Sequence, residues 1–126
     1  MAGTLVITTL SDGTNSTSST NCIQGSAKAW VKFAGSTGTI NGSFNVSSVT
    51  RSSTGRYTVN FTNALSDTNY SVVGASKNQD NTTTASGNNP IAVGPISFAT
   101  GSIGIVTPSV TTTLVDPFAV SIVVFR

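Results

Sequence analysis

The stretch from Ala27 to Thr62, AKAWVKFAGSTGTINGSFNVSSVTRSSTGRYTVNFT, constrains the fold more than any other part of the chain. Ala27, Ala29, Val31 and Phe33 alternate with Lys28, Trp30 and Lys32. Ile40, Gly42, Phe44 and Val46 alternate with Asn41, Ser43, Asn45 and Ser47, and Tyr57, Val59 and Phe61 with Arg56, Thr58, Asn60 and Thr62. Side chains of an extended chain repeat with period two, so each run presents one apolar and one polar face. Polar, glycine-bearing turns at 35–38 and 52–55 separate the runs. The pattern predicts a three-stranded β-meander with one face in water.

The remaining sequence extends the same theme. Ser and Thr account for 40 of the 126 residues and Asn for 11, and no 3.6-residue apolar stripe stands out. Such a composition favours pleated surfaces and turns over helices. Tyr70, Val72 and Gly74 alternate with Ser71, Val73 and Ala75 in a fourth strand. PIAVGPISFA at 90–99 reads as a strand broken by Pro95, which cannot donate to a ladder and so demands an edge or a bulge. Short strands follow at 102–107 and 109–115. PFAVSIVVF at 117–125 is apolar on both faces, as a central strand or one covered by a second subunit would be. The expected class is all-β: one β-sandwich of seven to nine short antiparallel strands, with a jelly-roll-like arrangement among the topologies left open.

Two regions are expected, an arm at 1–26 and a sandwich domain at 27–126. Residues 4–10, TLVITTL, read as a strand, followed by a Ser/Thr/Asn/Gly stretch with too little apolar surface to offset its ordering entropy. A strand on a flexible arm must find a sheet, in its own domain, a neighbouring subunit or a larger assembly. Leu5, Val6, Ile7 and Leu10 are therefore candidates for attachment or subunit exchange. Trp30, Phe118, Val123 and Phe125 are candidate subunit-interface residues. The long polar stretch 76–90 is a candidate contact loop, with Asn78, Asp80, Asn81 and Asn88 as its candidate residues.

Chemistry is sparse. The chain has no His and no Glu, which removes the commonest general bases and many metal ligands. Its four aspartates, Asp12, Asp67, Asp80 and Asp116, all fall in expected turns, where Asp caps backbone groups. No enzyme activity, cofactor or metal is expected; calcium at Asp80, Asn78 and Asn81 would lack charge density. Gly35 to Gly38 lacks the Lys-Ser/Thr and the helix of a phosphate loop. The six basic residues, giving a net charge of +2, do not cluster beyond Lys28 and Lys32, so no nucleic-acid partner is expected. Cys22 is alone, and no apolar run approaches the length of a membrane span or a signal peptide. Trp30 has two readings, a sugar-stacking platform or a ring packed under lysine stems or a second subunit. The expectation is packing.

AKAWVKF, then SFNVSSVTRSSTGRYTVNFTNAL, then NYSVVGAS, resembles a domain of virion proteins from tailed bacteriophages, many infecting aquatic hosts. The opening MAGTLVITTL resembles the start of short members of that group. The likeness is most specific over 27–62. It implies a non-enzymatic part of a phage particle, a homotrimer in contact with other virion proteins of capsid or tail. Its location would be the virion surface, after assembly in the host cytoplasm. Residues 1–26 are too short for a fibre shaft, which favours a capsid decoration or head-fibre knob. A tail-fibre tip, or an adhesin module that binds a host-surface receptor or glycan, is the alternative.

Overall fold

A computed structural model describes residues 3–77, 92–109 and 113–126. Eight strands form two four-stranded antiparallel sheets: β3 (Ala27–Phe33), β4 (Ile40–Phe44), β5 (Val46–Ser53), β6 (Arg56–Phe61), β7 (Ser71–Lys77), β8 (Gly94–Phe98), β9 (Ser102–Val106) and β10 (Ala119–Phe125). One sheet has the order β4-β3-β10-β7 and the other β5-β6-β9-β8. Ahead of them, β1 (Thr9–Ser11) and β2 (Ser16–Ser18) form a small hairpin, followed by helix α1 (Ser19–Gly25). The all-β sandwich expected from the alternation is the architecture observed.

The core lies between the sheets. Ala29, Val31 and Phe33 of β3 and Val120, Ile122 and Val124 of β10 face Tyr57, Val59 and Phe61 of β6 and Ile103 and Ile105 of β9. Burying each large apolar side chain stabilises the fold by roughly 1.5–3 kcal/mol. Phe33 and Tyr57 meet edge-on across the sheets with ring centroids 5.1 Å apart. The first and last strands of the sandwich are neighbours, with Ile122 opposite Val31 and Val120 opposite Phe33. This pairing makes β10 a central strand, which accounts for its apolar composition on both faces.

The meander is not a single sheet. Asn45 adopts a left-handed backbone (φ 54°), and the chain passes there from β4 in the first sheet to β5 in the second. Asn tolerates this conformation better than most residues. Here its side chain also secures the crossing. Its amide donates to the carbonyls of Lys28 and Asn63, both at 3.1 Å, and its Oδ1 accepts from the Asn63 N–H at 2.8 Å. Residues 46–53, of which only the first two were read as strand, form the edge strand β5.

Other expectations also need correction. Of the 4–10 run only Thr9 and Leu10 are strand, within β1, which pairs locally with Ser16–Ser18. The polar arm orders through its own side chains. Asp12 Oδ1 accepts from the N–H groups of Thr14 (2.9 Å) and Asn15 (2.7 Å), and Ser18 caps α1 by accepting from the Asn21 N–H. At 109–115 the described residues show an isolated bridge between Pro108 and Leu114. Pro95 does sit on an edge strand, beside a register shift between Pro95 and Ser97.

Candidate functional site

The outer faces of the two sheets differ. On the β5-β6-β9-β8 sheet, register places Thr50, Thr58, Gly104 and Ser97 in one row and Ser48, Asn60 and Ser102 in the next. Those two rows are small and polar; the next pairs Arg56 with Val106, and Ile96, 53% exposed, lies beside Gly104. On the β4-β3-β10-β7 sheet, Phe44 lies opposite Trp30, Trp30 opposite Val123, and Val123 opposite Val73. The row crosses all four strands. Trp30 is 41% exposed, Phe44 56% and Val73 61%. The far edge of the Trp30 six-membered ring rests over Gly42, where an added Cβ would meet it at 3.5 Å. A cross-strand aromatic covering a glycine supports an edge strand.

A bulge builds this row. The register of β3 and β4 shifts between Lys32 and Phe33, so Lys32 pairs with Gly42 while Phe33 pairs with Ile40. The extra residue, Asn41, reverses the alternation. Ile40 turns inward against the core, whereas Gly42 and Phe44 turn outward beside Lys32 and Trp30. Phe44 was expected on the apolar inner face with Ile40 and Val46; the bulge is why it is not.

Next to the apolar row, the same face hollows into a cleft of about 860 Å³. Lys32 on β3 and Lys77 on β7 flank it, on either side of Ser121 and Ala119 of β10. Phe118 and Pro117 close one side, with the Lys77 Nζ 5.2 Å from the Phe118 ring centroid. None of the described lining residues is acidic.

The described aspartates are held elsewhere. Asp116 accepts from Arg51 Nη2 (2.6 Å), the Tyr57 hydroxyl (2.7 Å), the Gly55 N–H (2.9 Å) and Arg51 Nε (3.1 Å). Arg51 holds its carboxyl well below the usual range, at about 2, and the Gly55 and Tyr57 donors add to that effect. Burial, and then the hydrogen bond to Asp116, push the Tyr57 hydroxyl up. Gly55 (φ 64°) has no room for a side chain: a Cβ there would lie 2.8 Å from the Val115 nitrogen. Asp67 pairs with Arg126, which lowers its pKa, and also accepts from the Asn69 N–H at 2.7 Å. As expected of turn aspartates, Asp12, Asp67 and Asp116 each cap backbone groups. Asp116 does so as part of a closed charged network that ties the 52–55 turn to the segment entering β10.

Of the expected interface residues, Trp30 and Val123 are register partners. Phe125 is half-buried, two residues along the same face of β10. Phe118 precedes β10, is 61% exposed and belongs to the cleft. Leu5, Val6, Ile7 and Leu10 come together with Cys22 and Ile23 of α1 around an open apolar hollow of about 370 Å³. Leu5 and Val6 are more than 80% exposed, at 81% and 87%. Cys22 is a free, exposed thiol. The contact-loop candidates Asn78, Asp80, Asn81 and Asn88 lie outside the described residues. Sequence reasoning missed Phe44 as a surface residue and did not link Lys32 to Lys77, whereas Val73 lies with Ser71 and Ala75 on the face opposite Tyr70 and Val72, as the alternation has it.

No family model, curated protein or solved structure matches the chain.

Proposed function

We propose that this chain is a non-enzymatic structural protein of a bacteriophage particle. In this reading it is an exterior trimeric knob anchored by residues 1–26, as a capsid decoration or head fibre. The N-terminal unit carries the reading. Its hairpin and helix bury no apolar side chain of their own, and Leu5, Val6, Leu10 and Ile23 all face solvent. Its tie to the sandwich is made by Lys28, whose ammonium donates to the Ile23 carbonyl in the last turn of α1 and to Ser26 Oγ at 2.8 Å. A cation at a helix C-terminus is favourable. An apolar patch beside a self-sufficient domain is a docking element awaiting a surface. The row Phe44–Trp30–Val123–Val73 supports the oligomer, since large rings on a regular strand are normally covered.

Two measurements test this. Antibody against residues 27–126, used for immunogold labelling of purified particles, should decorate capsids; label on the tail would move the protein to a fibre tip, and no label would refute the virion reading. Light scattering of the full chain and of residues 27–126, which contain every core residue from Ala29 to Val124, should both give trimers. Monomers on truncation would make the N-terminal unit the subunit-exchange element, and monomers in both would end the trimeric knob.

A further inference from the structure

We propose that Asn41 is a site of self-modification, where the backbone nitrogen of Gly42 displaces the side-chain amide and the product remodels the β4 bulge. This goes beyond the particle assignment and holds or fails without it.

Three observations converge on this residue. Asn41-Gly42 is the single Asn-Gly pair of the chain, and a glycine leaves its nitrogen open to reaction because no Cβ crowds the approach. The second is the state of the amide. Asn41 is exposed. The amides of Asn15, Asn45 and Asn60 donate to Asp12, to the carbonyls of Lys28 and Asn63, and to Ser48. That of Asn41 has no such partner among the described residues. The third is the backbone. Lys32 stands opposite Gly42 and Phe33 opposite Ile40, so Asn41 is the extra residue of the bulge. An extra residue is left unpaired and the ladder is disrupted around it, which gives Asn41 a freedom to bring its side chain onto the next nitrogen that regular pairing denies.

The chemistry needs only water. The Gly42 nitrogen gives up its proton and bonds to Asn41 Cγ; the bond from Cγ to the amide nitrogen breaks, and ammonia leaves with that proton. The result is a cyclic succinimide. Water then opens the ring at either carbonyl. Opening at Cγ restores the ordinary backbone with an aspartate at this position. Opening at the main-chain carbon routes the chain through Cβ and Cγ, an isoaspartate with a free α-carboxylate and an added backbone atom. That atom arrives where an extra residue already sets the register, between Ile40 packed on the core and Phe44 in solvent. Gly42 lies under the far edge of the Trp30 ring, so displaced backbone moves the surface on which the ring rests. The new carboxylate joins Lys32 in the lining of the same cleft.

The test is incubation of the folded full chain in warm, mildly alkaline buffer, followed by peptide mapping and isoaspartate detection over time. Conversion is expected at Asn41 ahead of Asn15, Asn45 and Asn60, with isoaspartate among the products. Gly42→Ala should leave the Asn41 amide intact over the same period. It should also melt with the wild type, since the added Cβ would meet the Trp30 ring at 3.5 Å, an ordinary contact. The converted forms carry one more negative charge and separate by ion exchange. Trp30 is the sole tryptophan, so its fluorescence reports on the bulge: emission should shift in the isoaspartyl form and stay near wild type in freshly prepared Asn41→Asp. Four results would overturn the proposal: an intact Asn41 in the folded chain, whether or not the urea-unfolded chain converts; conversion no faster than at the three held amides; equal conversion in Gly42→Ala; or Trp30 emission in the isoaspartyl form that is unchanged or fully matched by Asn41→Asp, which would leave the bulge as it was.

Discussion

Replacing Asp116 should expose how much of the fold hangs on one carboxylate. Its side chain is 13% exposed and takes donors from Arg51, Tyr57 and Gly55. Asp116→Ala leaves the hydroxyl of Tyr57, a residue 1% exposed, and the Gly55 N–H without their acceptor. Each orphaned group costs roughly 1–3 kcal/mol. Arg51, 30% exposed, loses less because water reaches it. The expected loss is about 3–5 kcal/mol, comparable with breaking a buried ion pair. Asp116→Asn keeps an acceptor for Tyr57 and Gly55 but removes the charge. Its cost follows from linkage: a carboxyl lowered from 3.8 to about 2 contributes about 2 kcal/mol.

The sign of the pH dependence follows as well. A depressed folded-state pKa means that the unfolded chain binds the proton first, so this stability is complete above the unfolded value. It is lost as pH falls from 3.8 through about 2. Urea unfolding followed by far-UV circular dichroism, on wild type and both variants across that window, is the assay. The gap between wild type and Asp116→Asn should be about 2 kcal/mol near neutrality and close to zero below the folded pKa. A gap under about 0.5 kcal/mol at neutral pH, or one that does not change on acidification, would refute the reasoning.

Asn45→Ala should destabilise the sandwich by about 2–4 kcal/mol in the same urea assay, because it removes three side-chain hydrogen bonds and leaves a non-glycine residue at positive φ. Asn45→Gly should cost less, and a reversed order would mean that backbone strain is not what Asn45 relieves. Gly55→Ala should lower stability by at least about 2 kcal/mol through the left-handed backbone and the Val115 contact; a neutral result by thermal melting would contradict the crowding at that turn. The double variant Trp30→Ser, Val123→Ser should lower urea stability by about 1–3 kcal/mol, because Trp30 covers Gly42 and Val123 is half-buried, yet keep the wild-type far-UV spectrum while abolishing any trimer seen by light scattering. A trimer that survives would place the subunit contact elsewhere.

Period-two alternation located the core well where the pleat is unbroken. Val31, Phe33, Tyr57, Val59, Phe61, Val120, Ile122 and Val124 are buried as their spacing requires. It failed where the backbone resets the count. Asn41 adds a residue and Asn45 turns left-handed, so Phe44 lands on the opposite face from Ile40 and Val46 although the three share a parity. Gly42 within the strand run is a bulge signal that counting alternation does not use. In β7 the count holds: Tyr70 and Val72 face the core, and Val73 shares the outer face with Ser71 and Ala75. The N-terminal unit was misjudged because apolar content was the sole measure of order. A short hairpin and a seven-residue helix draw instead on Asp and Ser side chains bonded to nearby amides. The cleft was hidden by topology, because Lys32 and Lys77 line one hollow only once β10 is inserted between their strands.

The bulge bears most directly on function. Without Asn41 as an extra residue, alternation would carry Phe44 to the inner face, where a large ring gains most from burial. Instead the chain departs from regular pairing on an edge strand and delivers that ring to solvent beside Trp30. Random drift of surface residues scatters apolar side chains singly. Here four of them share one row, one member depends on a register shift, and the adjoining row supplies a lysine to the cleft. On the opposite sheet, drawn from the same Ser/Thr-rich composition, two rows hold small polar side chains and glycine, the next holds Arg56 and Val106, and Ile96 is exposed beside Gly104, but no aromatic ring lies in any of these rows. Composition cannot explain the difference. The difference lies in the backbone: the bulge on edge strand β4 re-aims Gly42 and Phe44 to the outer face, as bulges on edge strands do.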